Sequence, residues 1–142
     1  MLSGDAPTRQ STGTVQPVSA EADLLAARHA VRAAALAAGF DLIGQTKIVT
    51  AASELTRNAY IHGGGGTLSI EPVTGHDGRR GLRLVMADDG PGIADVAAAL
   101  ADGFSTGAGL GHGLGGTRRL VDEFGIDTES GRGTTVTVVR WV

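Results

Sequence analysis

Apolar residues recur along this chain in two rhythms, every third or fourth position early and every second position later. From Leu24 the sequence places Ala27, Val31, Ala34 and Ala38 three or four apart, which predicts one stripe of an amphipathic helix. Ser19 precedes that stripe as an N-cap candidate. Gly39 follows it, a residue suited to the left-handed conformation in which many helices end. Asp41 can cap a second helix over about 42–61, with Ile48, Ala51, Ala52, Leu55 and Ala59 as its apolar face. The glycines at 63–66 stop it. Runs 67–73 and 81–87 then alternate about a turn containing Asp77-Gly78, the pattern of a β-hairpin. A short helix is expected after Ile93, through Val96 and Leu100. The glycine-dense run 103–116 opens another helix with inward positions Leu114, Thr117, Val121 and Phe124. Residues 126–129 and 134–142, around Ser130-Gly131-Arg132-Gly133, read as a closing hairpin. Residues 15–18 read as a short edge strand, the setting in which Pro17 is tolerated.

Helices interspersed with hairpins predict an α+β protein, a two-layer sandwich whose mainly antiparallel sheet is covered on one face by helices. Residues 1–13 are rich in Ser, Thr, Gly, Pro and Asp and read as a disordered leader. Residues 14–142 then form one domain, since 142 residues suffice for a single sizeable core.

Composition removes several functions. No cysteine is present, which excludes disulfides, thiolate metal sites and cysteine nucleophiles. The four histidines, His29, His62, His76 and His112, lack metal-ligand spacing. A net charge of −3 without a basic block argues against nucleic acid. No apolar run approaches membrane-spanning length, and the first residues lack the pattern of a signal peptide. The expectation is a cytoplasmic protein with neither nucleic acid nor membrane as partner.

Three segments carry candidate chemistry. Glu54 and Asn58, four apart on the second helix, project from one face. A carboxylate and an amide oxygen so placed suit a hydrated magnesium ion, and the carboxylate can also act as a general base. Alone, the pair reads more readily as scattered surface polarity. Asp88 continues the strand face of Leu82, Leu84 and Met86, so its carboxylate needs donors, and an adenine amine is one. Gly90 and Gly92, in Asp88-Asp89-Gly90-Pro91-Gly92, let backbone lie close to a flat ring. Alone, that segment is also an ordinary turn. The glycine run Gly109-Leu110-Gly111-His112-Gly113-Leu114 can present backbone N–H groups to phosphates at a helix opening. It contains no Walker-type lysine. Gly111, Gly113 and Gly116 fit a dinucleotide fingerprint only weakly, because no strand leads into them.

In this order the motifs resemble the ATP-binding domain shared by DNA gyrase, large ATP-dependent heat-shock chaperones, histidine kinases and MutL, the Bergerat-type fold. Ser53-Glu54-Leu55-Thr56-Arg57-Asn58, Asp102-Gly103-Phe104-Ser105-Thr106, Arg119-Leu120-Val121-Asp122-Glu123-Phe124 and the Trp141-Val142 ending resemble, more narrowly, the RsbT-type switch kinases of the stressosome. The resemblance implies ATP and magnesium as cofactors, Glu54 as catalytic base and Asn58 as magnesium ligand. It implies that Asp88, Gly90 and Gly92 hold adenine and that Gly109, Leu110, Gly111, His112, Gly113 and Leu114 cover phosphates. Thr135, in Gly133-Thr134-Thr135-Val136, would close the adenine side. The implied activity is protein-serine kinase and partner switch, acting on STAS-domain antagonists of a stressosome and activating a phosphatase of a general-stress pathway. The alternative is a non-catalytic nucleotide-binding regulator or anti-sigma factor that sequesters a partner. Gly115 stands where that family commonly carries proline, which loosens the helix start.

Overall fold

The computed structural model describes residues 13–93, 95–100 and 114–142. Strands β1 (Thr14–Val18), β2 (Gly66–Thr74), β3 (Arg80–Asp88), β4 (Glu123–Glu129) and β5 (Gly133–Trp141) form one sheet in the order β1-β2-β3-β5-β4. Every neighbouring pair is antiparallel. Helices α1 (Glu21–Ala38), α2 (Leu42–His62), α3 (Val96–Leu100) and α4 (Leu114–Arg119) complete the α+β architecture. None of the described helices is long and apolar enough to cross a membrane.

Alternation decides which sheet face is covered. Leu68 and Ile70 of β2, Leu82, Leu84 and Met86 of β3, and Val136 and Val138 of β5 are at most 5% exposed. They join Ala27, Val31 and Ala35 of α1 and Ile48, Ala52, Leu55 and Ala59 of α2 in one core. Each fully buried Leu, Ile, Val or Met stabilises the fold by about 1.5–3 kcal/mol, so this layer dominates the energetics. The opposite sheet face carries Arg83, Thr137 and Trp141, and there the Arg83 guanidinium donates to Glu71 at 2.8 Å.

Chain punctuation follows local chemistry. Gly39 ends α1 at φ 100°, the left-handed conformation expected of it. The Asp41 side chain caps α2, its Oδ1 accepting the Gly44 N–H at 2.7 Å. Gly65 N–H then donates to Ala59 O at 2.7 Å and closes the end of α2. β1 lies at the sheet edge with Pro17 in it, as its composition requires.

Two expectations are corrected. The N-cap of α1 is Ala20, not Ser19. Asp23 Oδ2 accepts the N–H groups of Ser19 at 2.8 Å and Ala20 at 3.0 Å, so the acid three residues into the helix does the capping. Those backbone donors hold the Asp23 carboxyl below its ordinary value. The last helix is also shorter than its apolar spacing suggests, ending at Arg119, and Phe124 belongs to β4. Asp122 explains the early stop. Its N–H donates to Val139 O at 2.8 Å and its Oδ2 accepts the Trp141 N–H at 2.7 Å, drawing the chain onto β5.

Candidate functional site

One cleft opens where the C-terminal end of α2 meets the C-terminal end of β3 and the start of β5. α2 contributes Leu55, Asn58, Ala59 and His62, and β3 contributes Met86 and Asp88. Pro91, Gly92 and Ile93 line it from the following loop, Leu114 from α4, and Thr134 and Val136 from β5. Its walls are mostly apolar, with Asn58, His62, Asp88 and Thr134 as the convergent polar side chains. A wider depression on the opposite sheet face, between Val73, Arg83, Val139 and Trp141, contains none of the candidate residues.

Asp88 sits at the end of the face begun by Leu82, Leu84 and Met86, and glycines crowd around it. A Cβ on Gly63 would lie 2.5 Å from the Asp88 carboxylate carbon, while one on Gly66 or Gly133 would strike Ala87 O or Asp88 O. Gly90 N–H donates to Asp88 Oδ1 at 2.8 Å, fixing the carboxylate in a tight turn. Among the described residues no other group donates to it, so Oδ2 remains an acceptor toward the cleft. The glycine at position 90 serves a different approach from the one its sequence suggests. Its added Cβ would meet Gly63 Cα at 2.5 Å, so Gly90 packs against the end of α2 rather than lining the cleft. Gly92 does line it, at φ 82°.

The threonine facing the cleft is Thr134, not Thr135. Thr134 pairs with Asp88 across the β3–β5 ladder and shares a face with Val136 and Val138. Thr135 pairs with Ala87, and strand alternation turns its side chain to the other face. Behind Thr134 stands Thr128 of β4, whose Oγ1 lies 2.8 Å from Thr134 Oγ1 and accepts the Ile93 N–H at 2.9 Å. Gly131 N–H donates to Pro91 O at 2.8 Å. The β4–β5 turn therefore clasps the loop after β3.

Asn58 lines the cleft. Glu54 stands one turn earlier on α2, outside the cleft lining, its Oε2 3.8 Å from Arg57 Nη1. Thus α2 brings Asn58 into the same cleft as Asp88 and leaves Glu54 outside its lining. Gly109, Leu110, Gly111, His112 and Gly113 lie outside the described residues, and Leu114, which follows them, is buried against the cleft. Sequence reading missed His62, Gly63 and Thr134. The first was legible as the next i+4 position after Glu54 and Asn58. The last was legible from its alternation with Val136 and Val138. Among the described residues no cluster of His, Asp or Glu could hold a metal by itself. A magnesium ion that keeps its waters needs only one or two protein oxygens, which the Asn58 amide fits.

Residues 44–141 match a family described as histidine kinase-, DNA gyrase B- and HSP90-like ATPase. The serine/threonine-protein kinase RsbT of Bacillus subtilis (strain 168) is 42% identical over 125 residues, 88% of this chain and 93% of that protein. The crystal structure of the RsbU and RsbW domains of Rv1364c from Mycobacterium tuberculosis aligns with a TM-score of 0.60 at 21% identity. That alignment covers 91% of this chain and 32% of the other, so the chain spans about a third of that structure and shares its fold.

Proposed function

The chain belongs to the histidine kinase-, DNA gyrase B- and HSP90-like ATPase family and, within it, to the RsbT type of serine/threonine-protein kinase; on that premise we propose that it is a partner switch that uses ATP and magnesium to phosphorylate a serine of a STAS-domain antagonist. The observation that carries this reading is the meeting of Asn58 and Asp88 in one mostly apolar cleft.

Each part of the cleft has a task. Asp88 Oδ2 accepts a hydrogen bond from the adenine amine, while Met86, Ile93, Leu114 and Val136 offer apolar surface to the ring. The Asn58 amide oxygen would hold magnesium, which when bound offsets the negative charge of the phosphate oxygens. Glu54, one turn before Asn58 on α2, would take the proton of the substrate's serine hydroxyl as that oxygen attacks the γ-phosphorus and the bond to the departing ADP breaks. By the family resemblance alone, Gly109, Gly111 and Gly113 are assigned to the phosphates. Released from the stressosome, the same chain binds and activates a phosphatase of a general-stress pathway in the cytoplasm.

Incubation with γ-labelled ATP, magnesium and a cognate STAS protein tests this. Label should appear on one serine of the STAS protein and vanish with Asn58→Ala or Glu54→Gln. Transfer unaffected by both substitutions would overturn the assignment of roles, and no transfer to any STAS protein would overturn the proposed substrate.

A further inference from the structure

We propose that the solvent side of the α1–α2 layer, beside Glu54, is a docking surface for an acidic face of the protein substrate; this rests on the serine-kinase reading of the cleft. Helical spacing gives the surface its outline. On α2, Ile43, Lys47, Thr50, Glu54, Arg57 and Ile61 follow at intervals of three and four, so they form one line along the helix. On α1, Leu25, Arg28, Arg32 and Leu36 recur in the same way. Both lines turn away from the core, since Leu25, Leu36, Ile43 and Ile61 are each at least 53% exposed. A groove joins them where Leu25 and Arg28 of α1 meet Ser53, Thr56 and Arg57 of α2. One side of this α2 turn, through Leu55 and Asn58, lines the nucleotide cleft, and the other, through Ser53 and Arg57, lines the groove. Glu54 stands between the two sides, its side chain 34% exposed. A serine that reaches Glu54 while the cleft holds ATP therefore brings the protein bearing it against this groove.

Charge selects the occupant. Arg28, Arg32, Lys47 and Arg57 place four cations on this face, against the carboxylates of Glu21 and Glu54. The excess is positive on a chain whose net charge is −3, so it is a local feature rather than the average of the surface. Arg57 has a partner, 3.8 Å away on Glu54. Among the described residues Arg28, Arg32 and Lys47 make no ion pair. Cations left uncommitted steer an acidic partner and fix its orientation. The four exposed aliphatic side chains among them supply the apolar contact that charges do not. That mixture fits a protein surface rather than a nucleic-acid backbone.

The test is steady-state phosphorylation of the STAS protein that accepts label from the wild type, at saturating ATP and varied STAS concentration. Arg28→Glu should raise KM for that protein roughly five- to twentyfold, because reversal replaces attraction by repulsion, with kcat within about twofold. ATP affinity stays at the wild-type value. Arg28→Lys, which keeps the charge, restores KM. Added salt raises the wild-type KM and has less effect on R28E. Arg79→Glu, the same charge change on the β2–β3 turn, should leave KM unaltered. A wild-type KM in R28E, or an equal rise in R79E, would overturn the inference. If R28E does not fold in a thermal melt, Lys47→Glu, exposed on the α2 side, carries the same test. Absence of label on any STAS protein would overturn the substrate reading and this inference together. Label transfer with an unaltered KM in the variant overturns this inference alone.

Discussion

Gly63→Ala should uncouple nucleotide binding from folding. Gly63 has φ −104° and ψ −4°, ordinary helical-region backbone that alanine adopts without strain. The added Cβ would lie 2.5 Å from Asp88 Cγ, 2.7 Å from Oδ1 and 2.8 Å from Oδ2, and these are its three nearest atoms. Van der Waals contact needs about 3.5–4.0 Å, so the carboxylate must move by about 1 Å. It cannot do so and keep the 2.8 Å bond from Gly90 N–H in place. The charge-assisted contact to an adenine amine is then lost, worth about 1.5–3 kcal/mol. At about 1.4 kcal/mol per tenfold, ATP should bind roughly 10- to 150-fold more weakly. Folding suffers less, because Asp88 is only partly buried and can swing toward solvent. About 1 kcal/mol, the low end for overpacking, lowers Tm by only about 2–5 °C. Displacement of a fluorescent nucleotide, run beside a thermal melt, reads both quantities. Wild-type ATP affinity in G63A would refute the role given to Asp88.

Thr134→Val should weaken ATP binding about tenfold while Thr135→Val leaves it unchanged, since only the former faces the cleft; the same displacement assay decides. Gly116→Ala, where an added Cβ meets nothing within 4 Å in α4, should raise stability by about 0.4–1 kcal/mol in urea unfolding. Asp41→Ala removes the acceptor for Gly44 N–H and should cost about 1 kcal/mol in the same experiment. Asp23 has a folded-state pKa below its ordinary 3.8. Its contribution to stability is therefore present above 3.8 and lost as pH falls through the lower folded value. Asp23→Asn should flatten the acid side of the stability profile as pH falls from 3.8 through the folded value, and leave its shape near neutrality unaltered.

Much of the architecture was legible because the apolar rhythm and the covered face are one fact seen twice. The stripe of α2 and the alternation of β2 and β3 name nearly the whole core. Asp41 and Gly39 are local signals with local causes, and both hold. Ser19 misled because the capping group came from Asp23, three residues into the helix, and so did not stand at the boundary. The stretch after Arg119 misled because helical spacing and strand pairing compete there. Asp122, bonded to Val139 and Trp141, settles that competition through a contact distant in sequence.

The candidate site divides along the same line. Asp88 was legible from strand alternation and Asn58 from helix spacing, and the cleft brings the two together. Gly63, Gly66 and Gly133 read as turn residues, yet each is small because Asp88 or its neighbour occupies the space beside it. That close approach depends on three chain segments meeting and leaves no mark in any one of them. The choice between Thr134 and Thr135 turned on a single residue of register, to which motif matching is blind and alternation is not.

Calorimetric titration with ATP and magnesium, on the wild type and on Asp88→Asn, tests most directly the claim that this cleft holds an adenine nucleotide. D88N keeps an oxygen for the Gly90 N–H but can turn an amide donor toward the adenine amine. The account predicts one ATP bound per wild-type chain and a loss of at least about tenfold in affinity in a folded D88N protein. No binding heat with the wild type, or equal affinity in D88N, would contradict it.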